Sequence, residues 1–181
     1  GEYPLRKNIW GPAPITSPLL IDTEKLTIAD LFKNSGYNTA AMGKWHLGFG
    51  NGTNDWLEPL RPGPQDLGCE YYFGVPLVNS APPYVYVEND HVFGRAPDDP
   101  LVYLGRKPGD KASPITPLTE EHGNRVRNFF GGATAAHKLY NDFTLGTTLV
   151  ERATNWIREQ SDKPFFLYLS TTNIQDRKSV V

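Results

Sequence analysis

The sequence predicts an α/β sandwich, with a central mixed, mostly parallel sheet flanked by helices. Two observations carry that prediction. A helix pattern followed by a short buried-strand pattern occurs twice, near residues 27–42 and 134–170, and a glycine-rich loop leaves the first strand. With 181 residues, 39% of them hydrophobic, the chain has the size of one domain or a piece of one. Its 18 basic and 20 acidic side chains leave a net charge of −2 with no Lys/Arg stripe, which excludes nucleic acid as a partner. No apolar run approaches the roughly 18 residues of a membrane span, and no hydrophobic leader segment is visible at Gly1.

The elements follow in order. Ile9 to Pro18 carries three prolines in ten residues and reads as an irregular surface connection. Thr27 and Asp30 have the spacing of a capping box, and Ile28, Leu31 and Phe32 then fall on one helical face until Asn34-Ser35-Gly36 stops the helix. Tyr37 to Met42 reads as a buried strand, and Gly43 to Gly52, with four glycines, as the loop that leaves it. Tyr84 to Phe93 predicts a hairpin turning at Asn89-Asp90, and Ala96 to Glu121 an extended surface excursion. From Thr134 to Gln160 apolar residues recur at steps of three and four, a long amphipathic helix with a break expected near Gly146. Phe165 to Ser170 then reads as a strand buried on both faces.

Ligands of open α/β sheets sit beyond the carboxyl ends of strands, where Lys44 and His46 fall. An anionic ligand carries negative charge on its oxygens, and a lysine with a reference pKa of about 10.4 and a histidine near 6.5 suit such a group. In extended backbone, residues two apart share a face, so Lys44 and His46 can point together while Trp45 packs behind them.

The segment Gly36-Tyr37-Asn38-Thr39-Ala40-Ala41-Met42-Gly43-Lys44-Trp45-His46-Leu47-Gly48 resembles the second signature of the type I sulfatases, the arylsulfatase-like hydrolases of the alkaline phosphatase superfamily. The resemblance continues through Gly68 to Pro76 and through Pro164 to Ile174. It implies a sulfuric ester hydrolase, with residues 1–174 the central part of an alkaline-phosphatase-like catalytic domain. Lys44 then matches the lysine that contacts the sulfate group and the nucleophile, and His46 the histidine that hydrogen-bonds the nucleophile's hydroxyl. Both are the expected catalytic and substrate-binding residues.

The nucleophile implied by the resemblance is a formylglycine made from a cysteine or serine, expected upstream of Gly1, because Gly1-Glu2-Tyr3-Pro4 resembles the end of the first signature. Cys69, in Gly-Cys-Glu-Tyr, lacks the Cys-x-Pro-x-Arg context and reads as a small buried thiol. The resemblance also implies calcium in the full-length enzyme, with ligands outside this chain, and a sulfated small molecule or carbohydrate as substrate. It further implies a periplasmic or secreted location. The chain alone is expected to be inactive. Two rival readings use the same cationic pair: a non-catalytic truncated anion-binding protein, and a related phosphoester hydrolase. Oligomeric state is left open.

His91, His122 and His137 read as solvated or structural, and the Tyr71-Tyr72-Phe73 and Tyr84-Val85-Tyr86 clusters as packing. Where the family pattern continues with histidine, this chain has Gln175. Asp176 to Val181 match the translation of a common short-read sequencing adapter, so residues 175–181 are expected to be a non-native tail with histidine as the true residue 175.

Overall fold

The computed structural model describes residues 9, 11–14, 16–52, 54–77, 83–99, 101, 137, 139–141, 144–160 and 162–172. The expected tail at 175–181, the N-terminal signature remnant, His122 and most of the 96–121 excursion lie outside them.

Helix α1 spans Ile28–Asn34 and starts as its sequence requires: Asp30 N–H donates to Thr27 Oγ1 at 3.1 Å and Thr27 N–H to Asp30 Oδ2 at 2.8 Å. Its inward face differs from the expected one. Ala29 is the buried residue and Phe32 stacks on Phe166 at 4.6 Å, whereas Ile28 and Leu31 are more than half exposed. So short a helix meets the sheet along a single row of side chains, and that row is set by the docking angle as well as by periodicity.

Strand β1 is Asn38–Lys44. A 3-10 helix at Pro64–Leu67 leads into β2 at Tyr71–Val75, and β3 (Val87–Glu88) and β4 (His91–Val92) form the expected hairpin around Asn89-Asp90, with Asn89 at φ 56°. Helix α2 covers Leu145–Glu159, and β5 covers Phe165–Ser170. The sheet order is β4-β3-β2-β1-β5: β1 runs parallel to both β2 and β5, while β3 is antiparallel to β2 and β4. The mixed, mostly parallel sheet is therefore present.

Two expectations are corrected. The long helix begins at Leu145, and the described residues at 137, 139–141 and 144 are not helical. His137 there gives its backbone N–H to Tyr84 O at 3.0 Å, and Tyr140 N–H closes a short turn on His137 O at 3.0 Å. Gly146 makes no break; it lies in the first turn of α2. Strand β5, expected to be buried on both faces, leaves Phe165, Tyr168 and Leu169 exposed by 39, 54 and 40%. Among the described strands it pairs only with β1, so its apolar composition records a parallel strand while its position is at the edge.

The sheet separates two cores. On one face Ala40, Met42, Phe73 and Val75 meet Leu145, Leu149, Ala153 and Trp156 of α2, with Tyr84, Tyr86 and Tyr140 alongside. On the other, Ala41 and Tyr72 pack with Ala29, with Trp45, Phe49 and Leu60 of irregular segments, and with Leu67 of the 3-10 helix.

Candidate active site

Strand β1 delivers Lys44 at its carboxyl end, opposite Val75 of β2. The strand runs two residues beyond Met42 and includes Gly43, which was expected to open the loop. Glycine is required there: at φ +106°, a β-carbon on residue 43 would lie 1.9 Å from the carbonyl oxygen of Ser170. This close approach lets β5 pair along β1 up to the residue before Lys44.

Pairing with the β2 side continues past the strand. Trp45 N–H donates to Val75 O and His46 N–H to Pro76 O, both at 3.0 Å. His46 is nevertheless not extended: its φ is +54°, in the left-handed region. The pleat argument for bringing Lys44 and His46 together is thereby corrected, because alternation stops at Lys44. Desolvation lowers the His46 pKa, the nearby Lys44 charge lowers it further, and a hydrogen bond to the Ala13 carbonyl opposes both. Burial also lowers the pKa of Lys44. Both side chains are partly buried, so neither is enclosed in hydrocarbon nor fully hydrated.

Trp45 packs inward. It is 8% exposed, its ring lies 5.8 Å from Tyr72 and 6.3 Å from Phe49, and its indole N–H donates to Gly48 O at 2.7 Å. The loop is tied down from a third side by the proline-rich opening segment. Leu20 N–H reaches Leu47 O at 2.9 Å, Leu19 N–H reaches Gly50 O at 3.0 Å, and His46 Nε2 lies 3.0 Å from Ala13 O. Pro14, His46, Gly48, Phe49, Pro76 and Leu77 line a small recess at this point. The contributions of Ala13 and Pro76 are backbone carbonyls, which side-chain motifs do not report.

The other candidates are not brought into this site. Cys69 is buried beside Leu67 and Tyr72, with its thiol pushed up to about 11 by burial and the Asp30 carboxylate. That is the inert state of a packing cysteine. His91 is exposed and bonded to Asp90 at 2.6 Å; His137 is buried, with Nδ1 accepting from Leu139 N–H and Nε2 facing Asp99 at 3.5 Å. Among the described residues no group of three or more His, Cys, Asp or Glu side chains could hold a metal ion. The calcium implied by the resemblance has no fitting donor set among them.

The chain is thus an α/β protein with a cation and an imidazole at the carboxyl end of a parallel strand, on a loop rich in backbone turns. The family follows from comparison with known proteins. Residues 1–173 match the Sulfatase family model. An N-acetylgalactosamine-6-O-sulfatase of Bacteroides thetaiotaomicron is 34% identical over 96% of this chain and 37% of its own length. Human steryl-sulfatase is 33% identical over 44% of the chain and 14% of its own length. A solved sulfatase structure concerned with the metabolism of multiple glycosaminoglycans by Bacteroides thetaiotaomicron superposes with a TM-score of 0.73 at 31% identity, covering 99% of this chain and 39% of that one. The chain belongs to the sulfatase family, a family of sulfuric ester hydrolases, and its sheet is a partial alkaline-phosphatase-like fold. It spans little more than a third of the length of the first of these relatives.

Proposed function

We propose that this chain is part of an exported enzyme that hydrolyses the sulfate ester of a sulfated carbohydrate, with Lys44 and His46 as its contacts to the sulfate group and the nucleophile. The observation that carries the reading is positional: Lys44 ends β1 at the carboxyl edge of the sheet, and His46, two residues on, is held by its N–H on Pro76 O and its ring on Ala13 O, both residues being only partly buried. A cation and an imidazole presented there suit an anion. Lys44 then stabilises the negative oxygens throughout, while His46, held largely neutral, can accept a hydrogen bond from an attacking hydroxyl. The carbohydrate class rests on the N-acetylgalactosamine-6-O-sulfatase relative, which matches nearly the whole chain. The nucleophile is the formylglycine expected upstream of Gly1. Among the described residues no helix is long and apolar enough to cross a membrane.

The test is Lys44→Ala and His46→Asn in the active enzyme expressed from its complete reading frame, assayed on a chromogenic aryl sulfate and on 6-sulfated N-acetylgalactosamine. Asparagine tolerates the left-handed backbone, so the loop keeps its shape. Each substitution is expected to lower kcat by about 10²-fold to 10³-fold with circular dichroism unchanged. Near-normal turnover by Lys44→Ala removes that residue from its role, and faster turnover of an aryl phosphate than of the sulfate transfers the site to phosphoester chemistry.

A further inference from the structure

We propose that the carbonyl of Ala13 fixes His46 as its Nε2–H tautomer, leaving Nδ1 as the ring's hydrogen-bond acceptor, and that the turn closed by the Trp45 indole holds the ring on that carbonyl. This rests on the sulfatase reading above and adds which imidazole nitrogen is available to the reacting groups.

A carbonyl oxygen can only accept, so the ring nitrogen 3.0 Å from Ala13 O must carry a hydrogen. A neutral imidazole has one N–H and one lone pair; with Nε2 committed, the lone pair is on Nδ1. Burial and the Lys44 charge favour that neutral ring. A ring free to exchange tautomers would offer an acceptor on the same atom only part of the time. A fixed partner on the second nitrogen removes that loss, as it does where a carboxylate or carbonyl orients a metal-bound or catalytic histidine.

Ala13 lies 33 residues before His46, in a segment with no regular secondary structure, yet that segment is anchored. Ser17 N–H closes a turn on Pro14 O at 2.9 Å, and Leu19 and Leu20 donate into the 47–50 loop. Space is tight at the crossing: a β-carbon on Gly48 would lie 2.0 Å from Pro18 O. From the other side, the buried Trp45 indole bonds Gly48 O three residues on, across the left-handed His46. A non-glycine residue in that conformation costs on the order of 1 kcal/mol and persists where its surroundings over-determine it. Three constraints do so here: the His46 N–H on Pro76 O, the Trp45 indole N–H on Gly48 O and the ring on Ala13 O.

The experiment is two-bond proton–nitrogen NMR on protein labelled with ¹⁵N-histidine, with the His46 signal assigned by its absence from His46→Asn. The unsubstituted protein is expected to show Nε2 protonated and Nδ1 with a pyridine-like nitrogen shift. An Nδ1–H ring, or the tautomer mixture of the free amino acid, overturns the proposal. Trp45→Phe keeps a ring in the core and deletes the indole donor; the ratio is expected to move toward that of free histidine. An unchanged Nε2–H ring in a variant with native near-ultraviolet dichroism removes Trp45 from the positioning role. The measurement on the unsubstituted protein does not depend on that variant's folding. Lost turnover in His46→Asn together with an Nδ1–H ring leaves the sulfatase reading intact and ends this one, whereas an Nε2–H ring with full turnover in Lys44→Ala does the reverse.

Discussion

The two faces of the sheet are covered by different means. On one, α2 presents Leu145, Leu149, Ala153 and Trp156 at helical spacing to Ala40, Met42, Phe73 and Val75, so side-chain volume on regular elements fills the space. On the other, α1 contributes little more than Ala29 and Phe32, and the segment from Trp45 to Leu67, irregular apart from the 3-10 helix, completes the cover with Trp45, Phe49, Leu60 and Leu67. There the backbone is held by glycines in left-handed turns and by carbonyls paired across segments. The site loop begins at the junction, where β1 ends and Trp45 turns into the irregular cover. A helix repeats one side-chain geometry, whereas a turn-rich loop can aim a single imidazole, and that freedom suits the second cover to a binding site.

Breaking each cover tests the difference. The largest effect on stability is expected from Gly43→Val, whose β-carbon collides with Ser170 O at a left-handed φ. Overpacking against a backbone atom together with the conformational penalty should cost about 3 kcal/mol or more, read as a fall in the urea midpoint. Leu149→Ala, 1% exposed under α2, removes volume only and should cost about 3 kcal/mol without altering the His46 NMR signals. Thr27→Ala removes the cap of α1 and the bond from Thr27 Oγ1 to Leu67 O at 2.8 Å, for about 1 kcal/mol.

The remaining effect is one of pH. The Cys69 thiol titrates near 9 when unfolded and is pushed up to about 11 when folded. The folded state is the one that holds its proton, so stability is intact below about 9 and declines as pH rises toward about 11. Urea midpoints across that window should fall more steeply for the native chain than for Cys69→Ala, and equal slopes would show a thiol already hydrated.

Much of the architecture is legible in the order of the amino acids. The capping box of Thr27 and Asp30, the hairpin turn at Asn89-Asp90 and the β1 strand depend on residues within a few positions of one another, and all are present. Lys44 and His46 stand out because a cation and an imidazole follow a strand within a glycine-rich signature. The expectations that fail share a cause. The long helix is described from Leu145, and within the span expected to be helical His137 gives its N–H to Tyr84 O and sits in a non-helical turn. The apolar strand β5 is the outermost of the described strands, a place that follows from topology and not from composition.

The sequence by itself determined the local units: where helices are capped, where the chain turns, which strand ends in a lysine, and the family to which the chain belongs. These follow from short-range sterics, periodicity and a signature confined to adjacent residues. Only the tertiary structure decided which carbonyls receive the His46 ring and backbone, that His46 leaves the strand pleat, and which face each helix buries. Those outcomes depend on backbone atoms from segments about thirty residues away in sequence, and a carbonyl oxygen is chemically the same in every residue, so no pattern of side chains announces which one will be used.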